Sequence, residues 1–270
     1  METNFSTTAN ITGERIKQYL REGKRFDGRD LDEFRELSIK TEVSKNAEGS
    51  ASVKLGQTEV MVGVKLDVSA PYPDSLDQGN LMVTAELLPL SSPRFESGPP
   101  KFEAIELGRV LDRVVRESKF IDLKKLCIKE GEKVWTVFID IYSINDDGNL
   151  LDAAGIGIIA ALKTARIPKY DEAKEKVLFG ELTDQKIPLS KNIPISITVH
   201  KIGDNLIVDP TKEEEDVSDT RITVGSADGI ISSMQKGNSI ALDVKDLYEA
   251  LDLIESSYKT LLPKIEKFLK

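Results

Sequence analysis

The sequence predicts an α+β fold, with helices packed on mixed or antiparallel sheets. Apolar and polar residues alternate in short clustered runs such as SASVKLG (50–56) and PISITVH (194–200), and a period of two marks a strand. Each cluster is closed by a segment of helical period, at 102–119, 150–165 and 243–270. Strands and helices do not alternate singly, and neither GxGxxG nor GxxxxGK[ST] occurs, so the pattern does not fit a Rossmann sheet.

The elements follow in order. A polar arm precedes ITGERIKQYLREG (11–23), read as a short helix, and RFDGR (25–29) turns at Asp27-Gly28. LSIKTEV, SASVKLG and TEVMVGVKLDV read as strands, the last two joined tightly around Gly56-Gln57-Thr58. NLMVTAELLPL (80–90) is another strand, and the three prolines of SSPRFESGPP (91–100) make an irregular loop. Residues 126–146 give two strands about Glu130-Gly131. The glycines and alanines of LLDAAGIGIIAALKTA (150–165) permit close backbone approach, so that helix belongs against a sheet. Residues 169–187 read as a charged surface excursion. Two hairpins follow, turning at Gly203-Asp204-Asn205 and Asp228-Gly229. In the last helix Leu247, Leu251, Ile254, Tyr258, Leu261, Ile265 and Phe268 form one apolar stripe, with a kink expected at Pro263.

Composition narrows the function. The 270 residues are 40% hydrophobic, enough for an extended core. A net charge of −9 disfavours indiscriminate coating of polyanions, so any nucleic-acid site must be a local patch. One cysteine, Cys127, and one histidine, His200, leave no disulfide framework and no Cys/His zinc site; a reducing cytoplasm is the expected compartment. His200 falls on the polar side of its strand and reads as a surface residue. The longest uncharged run, AAGIGIIAAL (153–162), is too short to cross a bilayer.

The segment ELGRVLDRVVRESK (106–119) sets the main problem. At about 100° per residue, Leu107, Val110, Leu111, Val114 and Val115 share one side and Arg109, Arg113 and Arg116 the other. Like charges at this spacing repel. One reading is a solvated face, with the guanidiniums paired to Glu106, Asp112 and Glu117. The other is a phosphate-bearing partner, because all three bases are arginine, whose planar fork suits phosphate and stacks on bases.

RFDGR, SASVKLGQTEVMVGVKLDV, QGNLMVTAELLPLSSPRFESGPP, AIELGRVLDRVVRESK and KVWTVFIDIYSINDDGNLLDAA together resemble the RNase PH-type ring subunits of the RNA exosome, and among them the archaeal non-catalytic type. The likeness covers roughly residues 14–268. It implies an RNase PH-like fold of two βαβα-type halves in one domain (25–270), behind an arm and short helix (1–24). It further implies a hexameric ring alternating with a catalytic RNase PH-type partner, single-stranded RNA threaded through a channel too narrow for duplex, RNA-binding cap subunits, and 3′-to-5′ phosphorolysis. No cofactor and no membrane contact is implied.

In catalytic relatives the start of the middle helix holds phosphate with backbone N–H groups, a hydroxyl and an arginine. Here that segment is DDGNLLDAAG. Leu150 and Leu151 donate nothing, and Asp152 is expected to repel the anion, so the chain reads as an inactive paralogue. Asp219, in VDPTKEEEDVSDTRITV, aligns within a residue or two with a catalytic aspartate, while Glu213 to Asp216 read as a solvated acidic loop. The resemblance assigns RNA contacts to Arg109 and Arg113, with Arg116 a weaker third. A phosphorolytic exoribonuclease in its own right and a purely structural ring spacer are the alternatives.

Overall fold

The structure is a computed structural model that describes residues 8–269, so the first seven residues of the expected arm fall outside it. Helix α1 (Asn10–Arg21) buries Ile16 and Leu20 against Ile202 and Ile207. The first sheet comprises β1 (Leu37–Thr41), β2 (Gly49–Leu55), β3 (Thr58–Ser69), β4 (Asn80–Leu87), β5 (Cys127–Lys129) and β6 (Lys133–Asn145). Its order is β1-β2-β3-β6-β4, with β5 also on β6. Neighbours are antiparallel except β4, which runs parallel to β6. The parallel pair follows from the crossover through α2 (Phe102–Glu117) between those strands.

After α3 (Leu150–Thr164) and the pair β7 (Arg166–Asp171) and β8 (Lys176–Lys186) comes a second sheet. It contains β9 (Ile195–Ile202), β10 (Asn205–Val208), β11 (Thr220–Ala227) and β12 (Ile230–Gly237), in the antiparallel order β10-β9-β11-β12. The one-turn helix α4 (Lys212–Asp216) joins β10 to β11, and α5 (Val244–Phe268) continues through Pro263 to close the chain. Each half thus runs strands, helix, strands, helix.

Helix α3 lies between the sheets, and its glycines show how tightly. A Cβ on Gly155 would stand 2.1 Å from Ser196 Oγ on β9, and one on Gly157 would stand 2.7 Å from Val62 Cγ2 on β3. One hydrophobic core therefore runs from Val53 and Val62 through Ile156 and Ile158 to Ile197 and Val224.

Residues 169–187 lie at the surface, as expected, but they form most of a β7–β8 hairpin that the sequence did not reveal, whose second strand is exposed along most of its length, with Val177 buried. With so little buried, alternation of apolar residues could not reveal it. His200 is not a surface histidine: it is only 3% exposed. Ser196, Thr198 and His200 form a polar side of β9 that is also buried: α3 lies on Ser196 and Thr198, and Ser218 and Glu215 stand beside His200.

Candidate functional site

The exposed stripe of α2 changes character along its length. Phe102 and Ile105 form its first part, both more than half exposed, and Arg109 and Arg113 follow, both exposed. The opposite stripe, Leu107, Val110, Leu111, Val114 and Val115, is buried, so the helix is held firmly while its arginines project. Arg109 forms neither an ion pair nor a side-chain hydrogen bond among the described residues. Arg113 donates to Gln235 Oε1 on β12. Arg116 is committed within the chain: it pairs with Asp112 at 2.7 Å and donates to the Leu81 carbonyl at 3.1 Å. Glu106 pairs with Arg221 of β11 at 2.6 Å, not with an arginine of its own helix. The solvated-face reading therefore holds for Arg116 and leaves Arg109 unneutralised.

The start of α3 is fixed from within. Gly148 has φ +85, and a Cβ there would meet the Pro210 carbonyl at 2.6 Å, so both conformation and space require glycine. Asn149 caps the helix in the left-handed region at φ 58. Its backbone N–H donates to Glu215 Oε1 at 2.8 Å, and its amide nitrogen donates to Asp209 Oδ1 at 2.8 Å and Asp152 Oδ2 at 3.1 Å. A helix start ordinarily offers such N–H groups to an anion. Here the anion is the protein's own Glu215, bridged to Lys212 at 2.9 Å. Burial pushes the Glu215 carboxyl up, but Lys212, His200 and hydrogen bonds from Lys212 and Asn149 outweigh it and hold it at about 2. Leu150 and Leu151 are half-buried and pack on the main core.

Asp152 does not stand ready to repel an anion. It is fully buried and turned into β9, accepting from Thr198 N–H at 3.1 Å and Thr198 Oγ1 at 2.8 Å. Nor is the acidic segment a solvated loop. Thr211 and Glu214 form a capping box. Arg25 grips Glu214 with two of its three guanidinium nitrogens, Nε at 3.0 Å and Nη2 at 2.5 Å, while Lys212 and Arg94 approach Asp216 at 3.7 and 3.5 Å. Asp209, fully buried, receives Arg29 at 3.1 Å and Arg35 at 2.8 Å. Asp219 accepts the Gly203 N–H at 2.7 Å and so closes the β9–β10 turn. Among the described residues, no group of three or more His, Cys, Asp or Glu is placed to hold a metal.

Models of the 3′ exoribonuclease family match the chain twice, domain 1 over residues 33–168 and domain 2 over residues 192–254. The chain belongs to the RNase PH family. Among curated members it is similar to the exosome complex component Rrp42 of Methanosarcina acetivorans, 47% identical over 91% of this chain and 90% of that protein. The protein of the same description from Thermococcus onnurineus is 48% identical over 93% of each. Of solved RNase PH structures, a chain of the Archaeoglobus fulgidus exosome with RNA bound to the active site superposes with TM-score 0.85 and 44% identity, covering 94% of this chain and 97% of that one. A chain of an archaeal exosome core gives 0.83 and 41%, covering 95% and 96%.

Two buried groups of this RNase PH chain titrate in opposite senses. Burial lowers His200 to about 4, where its Nδ1 shares a hydrogen bond with Ser218 Oγ at 3.0 Å. Burial raises Asp152 to about 7, against the lowering effect of Thr198 and Asn149. A depressed histidine gives stability present above its unfolded value, about 6.5, and lost as pH falls toward 4. A raised carboxyl gives stability present below about 4 and lost as pH rises to 7. Relative to the parent chain, His200→Asn is expected to gain stability as pH falls through that interval, and Asp152→Asn as pH rises through it. Denaturant unfolding at several pH values reads both slopes; parallel profiles would refute the assignment.

Sequence reasoning found the arginine stripe but missed Glu215, Asp209 and the RFDGR arginines as parts of one buried network. Thr211-x-x-Glu214 was a visible capping signal. The other partners are remote in sequence and gave none.

Proposed function

We propose that this chain is a ring subunit of an archaeal exosome that binds single-stranded RNA through α2 and structures the active site of a catalytic RNase PH-type partner, without carrying out phosphorolysis itself. Its similarity to proteins described as exosome components supports the assembly. The observation that carries the non-catalytic reading is the start of α3. A phosphate entering there would meet leucines at 150 and 151, lose the Asn149 N–H to Glu215 and face that carboxylate's charge. Arg109 and Arg113 remain available for RNA phosphates, which supply the missing counter-charge and carry no sequence information. The working assembly is three copies alternating with three of the partner, with RNA-binding caps, acting in the cytoplasm.

The purified chain, given single-stranded RNA and inorganic phosphate, is expected to release no nucleoside diphosphate. Mixed with its catalytic partner it should support shortening from the 3′ end. Robust release by the chain alone would favour the alternative, an exoribonuclease active by itself.

A further inference from the structure

A second group of bases lies where the ends of α2, α3 and β8 meet. The segment after α2 pairs with the segment after β8: Ile121 bridges Leu189 in the antiparallel sense, and the Phe120 carbonyl accepts the Ser190 N–H at 2.7 Å. One step further in that register sets Lys119 opposite Lys191. Just past α3, the Ala165 carbonyl accepts the Ile187 N–H at 3.3 Å, and Arg166 is the direct partner of Lys186 across the β7–β8 ladder. Lys163, in the last turn of α3, holds its ammonium 5.9 Å from the centre of the Phe120 ring. Lys163 is half-buried and the other four bases are exposed.

Little inside the chain answers these charges. Lys119, Lys163, Lys186 and Lys191 form neither an ion pair nor a side-chain hydrogen bond among the described residues. Arg166 reaches only Asp184, at 3.9 Å. Of the neighbouring acids, Asp122 is paired with Lys125 at 3.0 Å and Glu117 acts on Arg116. Helix dipoles favour cations at C-terminal ends, which accounts for Lys119 and Lys163 but not for Lys186 and Lys191, which belong to no helix. Like charges directly opposite on a ladder are destabilising, so the Arg166–Lys186 pair is a cost to the fold that an external anion would relieve. Phe120, Ile121, Ile167 and Ile187, which lie among the bases, are buried. The surface therefore offers charge without the apolar centre of a protein interface, and no aromatic face for a base.

We propose that this patch binds the phosphate backbone of RNA separately from the α2 stripe, and that it takes duplex as readily as single strands. This rests on the RNA-binding reading above and adds to it a second contact of different selectivity. Lysines act as point charges on phosphates, and phosphate contacts carry no sequence information. Lys119 follows Arg113 by six residues, about 9 Å along the line of α2, so a folded stem held on the patch leaves its single-stranded tail within reach of Arg113 and Arg109.

The test measures binding of a blunt RNA hairpin and of an unstructured oligoribonucleotide, by the purified chain and by the ring assembled with its catalytic partner. Lys186→Glu with Lys191→Glu should weaken hairpin binding about tenfold and flatten its salt dependence, whereas Lys186→Arg with Lys191→Arg should bind like the parent. Arg109→Glu with Arg113→Glu should weaken the single strand and leave the hairpin unaffected. Hairpin affinity unchanged by the glutamates, equal loss with the arginines, or an effect seen in the free chain and absent from the ring overturns the patch. Should the glutamates disturb folding, read by circular dichroism, Lys186→Gln with Lys191→Gln carries the same comparison. If the α2 variant alone weakens binding, only the patch fails; if neither variant alters affinity for any RNA, the RNA-binding reading fails with it.

Discussion

A ring carrying Arg109→Glu and Arg113→Glu should assemble normally and bind single-stranded RNA about a hundredfold more weakly than the parent. A hydrogen bond to a charged group is worth about 1.5–3 kcal/mol, so removing two of them costs about 3 kcal/mol or more, and each 1.4 kcal/mol is tenfold. Both side chains are exposed and neither supports the buried side of α2, so folding should be little affected. The slope of log affinity against log salt should also fall by about 0.7 for every RNA phosphate no longer neutralised, about 1.4 for the pair. Titration of a labelled oligoribonucleotide at several salt concentrations measures both effects. Unchanged affinity and slope would leave the arginines as a solvated face and return the chain to the role of ring spacer.

Asp209→Ala should be among the most destabilising single substitutions in the chain, costing about 3–5 kcal/mol, the usual loss when one partner of a buried ion pair is removed. Asp209 is wholly buried, and Arg29 and Arg35, whose side chains are 11% and 8% exposed, both converge on it. It also accepts the Arg35 backbone N–H at 2.7 Å and the Asn149 amide at 2.8 Å. Removing it leaves Arg29 and Arg35 with only the more exposed carboxylates of Asp27 and Asp147 and loosens the start of α3 together. Asp219→Ala is the contrast: one hydrogen bond to Gly203 disappears at a half-exposed turn, for about 1 kcal/mol. Denaturant midpoints of the two variants should differ widely. Asp209→Ala unfolding within 1 kcal/mol of the parent would show that its arginines find water or other acceptors.

The parts of the fold that could be read from the sequence are those whose signal is local. The α2 stripe was legible because burial of Leu107, Val110, Leu111, Val114 and Val115 imposes a helical period. The glycines of α3 announced a close approach, and the structure places Gly155 and Gly157 against different sheets. His200 was misread because alternation separates two sides of a strand without saying what covers each; both sides are buried, with Ser218 and Glu215 beside the imidazole. The acidic segment was misread for a related reason. Charge is visible in a sequence, but the Arg25 that neutralises Glu214 lies 189 positions away, and no local pattern connects them. Arg109, Arg113 and Arg116 look equivalent on a helical wheel, yet Asp112 and the Leu81 carbonyl occupy the third.

Glu215 at the head of α3 behaves as a tethered ligand. Tethering gives even a flexible group an effective concentration of about millimolar or more, and this one is already packed beside Lys212. Free orthophosphate cannot displace it readily. If the proposed mixed ring forms, only the partner's pockets sense how much phosphate the cell contains, so turnover rises and falls with that supply while the RNA contact proposed for this subunit stays constant.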